Sequence, residues 1–358
     1  MDYIHGGDIY GDNQIIIDFS VNTNPLGMPD EVKRAVTEQM DTWAVYPDSK
    51  GRKLKTQLSE YYKNCCGRNV LQPEDFLCGN GAADLLYSLV FALRPAKALL
   101  FAPSFGEYEK ALCAAGCEIR IHYLEKEKGF SMELRSDTLS EVFTKDLDMV
   151  ILGNPNNPTG GVISVDMIRE WAEICQRNNT TLVVDECFNW FLDEGEQYSA
   201  ISLLAEFHNL IVINAFTKIY AMAGLRLGYL MCKNKEVMER VESCRQPWSV
   251  SAPATAAGVR ALKMADFTVR TRQLVSVERE FLKDGLEKTG FTVCPSMVNY
   301  LLFCKKDGVD YFHLCLLQGI LIRSCESFAG LDKTFYRVSV KTREENEALL
   351  RALSAIEK

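Results

Sequence analysis

The stretch Ile211-Val212-Ile213-Asn214-Ala215-Phe216-Thr217-Lys218 is the segment whose reading decides the fold. It is an apolar run of strand length that ends in a hydroxyl and a lysine. Ala223-Gly224-Leu225-Arg226 follows it. Similar short apolar runs stand upstream at 98–102, 149–152 and 182–184, mostly bounded by Gly, Pro, Asn or Asp. Between the runs lie helical patterns at 82–93, 108–115 and 167–178. Strand and helix alternating in this way predict a largely parallel, buried sheet with right-handed crossovers.

The pattern changes on either side of this region. Residues 1–45 read as an irregular arm with turn signals, then a helix with Val32, Ala35, Val36 and Met40 on one face. Beyond about Lys233 a long charged helical stretch runs to Lys288, interrupted near Pro247 and Pro253. Strands are expected at 300–304, 320–323 and 336–340, with helices at 311–318 and from about Glu344. The expected organisation is an arm over 1–45 that joins the small domain, a large domain over 46–235, and a smaller α+β domain over 236–358.

Composition narrows the functional class. The 358 residues carry a formal net charge of −8, which disfavours nucleic acid or an anionic membrane as partner. Thirteen cysteines, with no Cys-x-x-Cys, fit neither a disulfide framework nor a zinc site, and the four histidines are scattered. No metal is expected. The amino terminus lacks a basic region followed by an apolar run, so no signal peptide or membrane span is expected, and a cytoplasmic location is.

In open α/β sheets ligands bind beyond the carboxyl ends of the strands. The residues there form a consistent set. Asn157 follows the run at 149–152, Asp185 follows 182–184, and Thr217, Lys218 and Arg226 follow 211–216. Gly81, Ala82 and Ala83 open the helix at 82–93. Singly, Asp185 reads as a helix cap, Lys218 as a solvated lysine and Arg226 as a surface ion pair. Together they match the needs of pyridoxal 5'-phosphate. The helix N-terminus, Thr217 and Arg226 would hold the phosphate. Asp185 would keep the pyridine nitrogen protonated, and Asn157 would donate to the ring O3′. Phe105 or Tyr108 would stack on the ring. Lys218 would carry the cofactor as a Schiff base and later act as acid or base.

The segment from Asn214 to Tyr229 resembles the lysine motif of fold-type I pyridoxal-phosphate enzymes, the aspartate-aminotransferase fold. Asn157 and Asp185 match that family's asparagine and pyridinium aspartate. Tyr46-Pro47 resembles the segment whose tyrosine reaches the neighbouring subunit's cofactor phosphate, so the resemblance implies a homodimer. Within the family, the chain is most similar to the branch of histidinol-phosphate aminotransferase and threonine-phosphate decarboxylase. His5-Gly6-Gly7, the segment 18–29, and the segments 321–325 and 337–346 resemble the decarboxylase. Phe188 stands where the aminotransferase has a tyrosine. The resemblance implies a phosphorylated amino acid as substrate. Arg337 would grip one anion. Arg323, with His5 and Lys333 as further candidates, would grip the phosphate, and Asn22 and Asn24 would lie over the site.

Overall fold

The computed structural model describes residues 6–10, 14–65, 71–134 and 138–356. Its centre is a seven-stranded sheet: β1 (Phe76–Gly79), β2 (Lys97–Ala102), β3 (Glu118–Tyr123), β4 (Met149–Gly153), β5 (Thr181–Asp185), β6 (Leu210–Ala215) and β7 (Gly228–Met231). The strand order is β1-β7-β6-β5-β4-β2-β3. Strands β2 to β6 pair in parallel, and β7 runs antiparallel to both β1 and β6. Core clusters lie on both faces, which is why β4 and β6 are buried at every position and, Asn214 apart, carry no polar side chain.

The expected α/β architecture is present, with informative differences. Helix Ala82–Leu93 begins and ends where the pattern places it. Strands β1, β3 and β7 were not anticipated. β1 and β7 are only four residues long, and each carries a glycine at the end where they meet. β3 is an edge strand with charged residues between its apolar ones. Met40 does not extend the first helix, which is Asp30–Thr37, and its side chain is exposed. Pro253 does not interrupt a helix. It sits in the first turn of Ala252–Ala261, where a missing N–H costs nothing, and the Ser251 hydroxyl caps that turn.

A separate core joins the part of the arm around Phe19 to the carboxyl-terminal part, whereas Val32 of the arm's helix belongs to a core cluster of the large sheet. Phe19 packs with Leu282, Leu301, Phe303, Ile322 and Leu349. Ile17–Asp18 pairs in parallel with Ile320–Leu321. Phe335–Ser339 lies antiparallel between Tyr300–Cys304 and Arg323–Ser324. The expected single strand at 320–323 is therefore two short strands in different sheets. Phe19 is fully buried, its N–H donates to Leu321 O, and its carbonyl accepts from Ser339 N. Phe19→Ala should cost about 3–5 kcal/mol through loss of buried area and the cavity left behind. Thermal unfolding should show a clearly lowered melting temperature; an unchanged one would mean that the arm is not part of this core.

Candidate active site

Strand register brings the site together. Gly153 pairs with Asp185 and Asp185 with Ile213, so the carboxyl ends of β4, β5 and β6 lie level. Beyond them opens a cleft of about 390 Å³. Asp185, Thr217 and Lys218 line it, as do Ala82 and Ala83 at the helix N-terminus. Asn157, Phe105, Tyr108 and Arg226 join them. The far wall holds Asn22, Arg323 and Arg337.

Burial sets the chemistry of the two central groups. Lys218 has its pKa lowered to about 8, first by burial and then by the positive charges of Arg337 and Arg226. Asp185 is raised by burial, against the pull of its donors. The Asp185 carboxylate accepts Tyr108 Oη–H at 2.8 Å and the Cys187 N–H at 3.0 Å. Tyr108 thus serves the aspartate. Its ring meets Phe105 edge-on at 5.6 Å, and Phe105, without a hydroxyl, offers an aromatic face to the cleft.

The phosphate cradle depends on close backbone approach. Gly81 caps helix Ala82–Leu93 at φ +88, with no side chain satisfying the first N–H groups. A Cβ there would meet the Arg226 guanidinium at 2.6 Å. A Cβ on Gly228 would meet Ala82 N at 2.6 Å. Arg226 itself takes a left-handed backbone, which turns it back toward the helix. The helix N-terminus and the Arg226 guanidinium lie together, and Thr217 lines the same cleft, a set that suits a phosphate. Beside them stand a lysine lowered toward neutrality and a carboxylate suited to a pyridinium. The residues present therefore fit pyridoxal phosphate.

The far wall carries two buried arginines. Arg323 is 4% exposed and Arg337 6%. Arg337 donates to Asn157 Oδ1 and, at 2.7 Å, to Ser20 O. Arg323 donates to Ser327 Oγ at 2.9 Å and has its pKa lowered to about 10 by burial and by Arg337. Asn22 Oδ1 and Arg337 Nε are buried without a hydrogen-bond partner among the described residues. Phe188 lines the cleft with its ring 6.0 Å from Lys218 Nζ and brings no hydroxyl.

Two expected residues, Asn24 and Lys333, stand outside this cleft, as does Tyr46, whose expected place is at the neighbouring subunit's cofactor. Asn24 does not lie over the site: its amide donates to Ile219 O and Thr271 Oγ1 and accepts from Leu26 N, so it ties the fold together instead. Tyr46 is 76% exposed and stacks on Trp248 at 4.4 Å. Lys333 is exposed and does not line the cleft. His5 lies outside the described residues. Conversely, Ser20, Cys187, Ser327 and Phe328 line the cleft without having been anticipated. Only their neighbourhood in the chain to Asn22, Asp185 and Arg323 could have pointed to them.

The family model for aminotransferase class I and II matches residues 14–353. The chain belongs to this family of pyridoxal-phosphate enzymes, with the fold-type I architecture. It is 34% identical to the threonine-phosphate decarboxylase of Salmonella typhimurium, over 98% of this chain and 95% of that one. Its structure resembles the histidinol-phosphate aminotransferase from Clostridium acetobutylicum with a TM-score of 0.86 and 30% identity, covering 96% and 99% of the two chains. It resembles the L-threonine-O-3-phosphate decarboxylase from Porphyromonas gingivalis with a TM-score of 0.82 and 26% identity, covering 96% and 100%.

A Schiff base at Lys218 would need the neutral amine, whose fraction rises as pH passes about 8. Reloading of cofactor-free enzyme, followed by absorbance, should therefore accelerate from pH 6 and level off above about pH 9. A rate still climbing tenfold per unit at pH 9 would mean that Lys218 is not lowered. Borohydride treatment of the loaded enzyme should leave the cofactor's mass on the peptide containing Lys218.

Proposed function

We propose that this enzyme removes the carboxyl group of L-threonine O-3-phosphate, yielding (R)-1-aminopropan-2-ol O-2-phosphate, a precursor in cobalamin biosynthesis. The supporting observation is the pair of buried arginines, Arg323 and Arg337, that face the cleft in addition to Arg226. A substrate with a carboxylate on Cα and a phosphate ester on the next carbon presents two anions to such a pair. Similarity to the Salmonella decarboxylase over nearly the whole of both chains supports the same reading. The second reading, histidinol-phosphate aminotransferase, is favoured by the likeness to the Clostridium structure.

When bound, pyridoxal phosphate supplies a conjugated ring that takes up the electron pair left at the substrate's Cα. The chain's residues do the rest. Asp185, held by Tyr108 and the Cys187 N–H, keeps a proton on the ring nitrogen. The helix N-terminus at Ala82 and Ala83, with Gly81, Thr217 and Arg226, binds the phosphate of the cofactor. Asn157 keeps its amide N–H for O3′, because its Oδ1 already accepts from Arg337. Phe105 covers the ring. Arg337 and Arg323, with Asn22 lining the same cleft, would hold the substrate's anions and so orient the bonds at its Cα. The Cα–carboxylate bond breaks, CO2 leaves, and its bonding pair stays at Cα. Lys218 Nζ would hand to Cα the proton that it takes up from the substrate's ammonium group.

The enzyme acts as a homodimer in the cytoplasm. Trp43, Val45, Tyr46 and Trp248 are exposed in one chain and suit an interface, through which Tyr46 would reach the partner's cofactor phosphate. No helix among the described residues is long and apolar enough to cross a membrane.

Arg323→Ala and Arg337→Ala should each lower kcat/KM for threonine phosphate roughly ten- to a hundredfold, the loss of about 1.5–3 kcal/mol from a charge-assisted contact. Unphosphorylated threonine should be a poor substrate of the unaltered enzyme and lose little further in Arg323→Ala. Steady-state kinetics with both substrates checks this, and equal use of the two by the unaltered enzyme would sink the assignment of Arg323.

A further inference from the structure

Ser20 stands where the arm leaves its pairing with Ile320–Leu321, and it is 1% exposed. Both its backbone and its side chain are engaged. The carbonyl accepts an N–H from Arg337 at 2.7 Å. The N–H and the hydroxyl both donate to Asp18 Oδ1, at 2.7 and 2.6 Å. The hydroxyl oxygen accepts the Gly7 N–H at 2.7 Å. A carboxylate cannot donate, so the single hydroxyl proton points to Asp18 and the lone pairs face Gly7. Polarisation by the carboxylate makes that oxygen the stronger acceptor.

The arm is shaped to reach this hydroxyl. A Cβ on Gly6 would meet the Ser20 carbonyl carbon at 2.8 Å. Gly7 has φ +87, and a Cβ there would meet Val21 Cγ1 at 2.9 Å. Gly6 lines the cleft that Arg337 also lines. One residue thus touches the arginine of the far wall through its carbonyl and the arm through its hydroxyl.

We propose that Ser20 is a positioning residue: with Asp18 behind it, it clasps the Gly6–Gly7 segment over the cleft rim and couples that segment to Arg337. Substrate seated on Arg337 then favours the clasped arm, and the clasped arm favours seating of substrate, as reciprocal coupling requires. The inference rests on the assignment of Arg337 to substrate.

The test uses the cofactor-loaded enzyme and L-threonine O-3-phosphate. Ser20→Ala should raise KM about tenfold, with kcat within about twofold and the melting temperature and cofactor absorbance unchanged. Ser20→Thr keeps a hydroxyl and should restore most of the loss. Asp18→Ala should raise KM less, and the double variant should raise KM by less than the two separate effects together, because part of Asp18's action passes through that hydroxyl. Gly7→Ala strikes the clasp from the arm, outside the main cores, and should reproduce the KM effect. An unchanged KM in both Ser20→Ala and Gly7→Ala would overturn the proposal, as would Asp18 and Ser20 effects that simply add. If Arg337→Ala leaves KM and kcat untouched, the assignment of Arg337 fails instead, and the two failures are distinguishable.

Discussion

Lys218 and Asp185 lie at neighbouring strand ends of a sheet covered on both faces, and burial drives each toward its neutral form. The lysine falls to about 8 and the aspartate rises. Two groups of opposite charge placed for mutual stability would shift the other way, each toward its charged form. The difference comes from the positive neighbours of the lysine, Arg337 and Arg226, and from the enclosure of both groups. A lysine depressed in the folded state binds its proton less well there than in the unfolded chain. It therefore destabilises the empty fold below about pH 8, an effect lost as pH rises toward the unfolded value. That cost is what makes the amine reactive near neutrality.

The parts of the site that follow directly from strand ends were legible in the sequence. Asp185, Thr217 and Lys218 each come directly or almost directly after a buried apolar run, and parallel register levels those ends. The helix Ala82–Leu93 was legible because its apolar pattern is uninterrupted and a glycine pair precedes it. Contacts made across long stretches of chain were not. Asn24 is committed to partners 195 and 247 residues away, which no local pattern could reveal. By residue type alone Tyr108 and Phe105 are interchangeable as ring partners; the bond from the Tyr108 hydroxyl to Asp185 separates them. Ser327 and Phe328 reach the cleft from a loop after a two-residue strand, where periodicity carries no signal.

The amino-terminal arm and the carboxyl-terminal strands form one mechanical unit. Phe19 fills their shared core, its backbone bonds both Leu321 and Ser339, and Ser20 hands the next carbonyl to Arg337. Arg337 in turn bonds Asn157, which follows β4 of the large sheet. The far wall is thus tied to the cofactor side by one guanidinium. In the proposed reaction, the choice of the broken Cα bond would depend on how firmly that wall holds the substrate.

The most direct measurement is a product analysis with threonine phosphate labelled in its carboxyl carbon, run beside histidinol phosphate with 2-oxoglutarate. The account predicts one labelled CO2 and one aminopropanol phosphate for each substrate consumed, and little glutamate from histidinol phosphate. Efficient glutamate formation with no labelled CO2 would contradict it and assign the chain to the aminotransferases in activity as well as in fold.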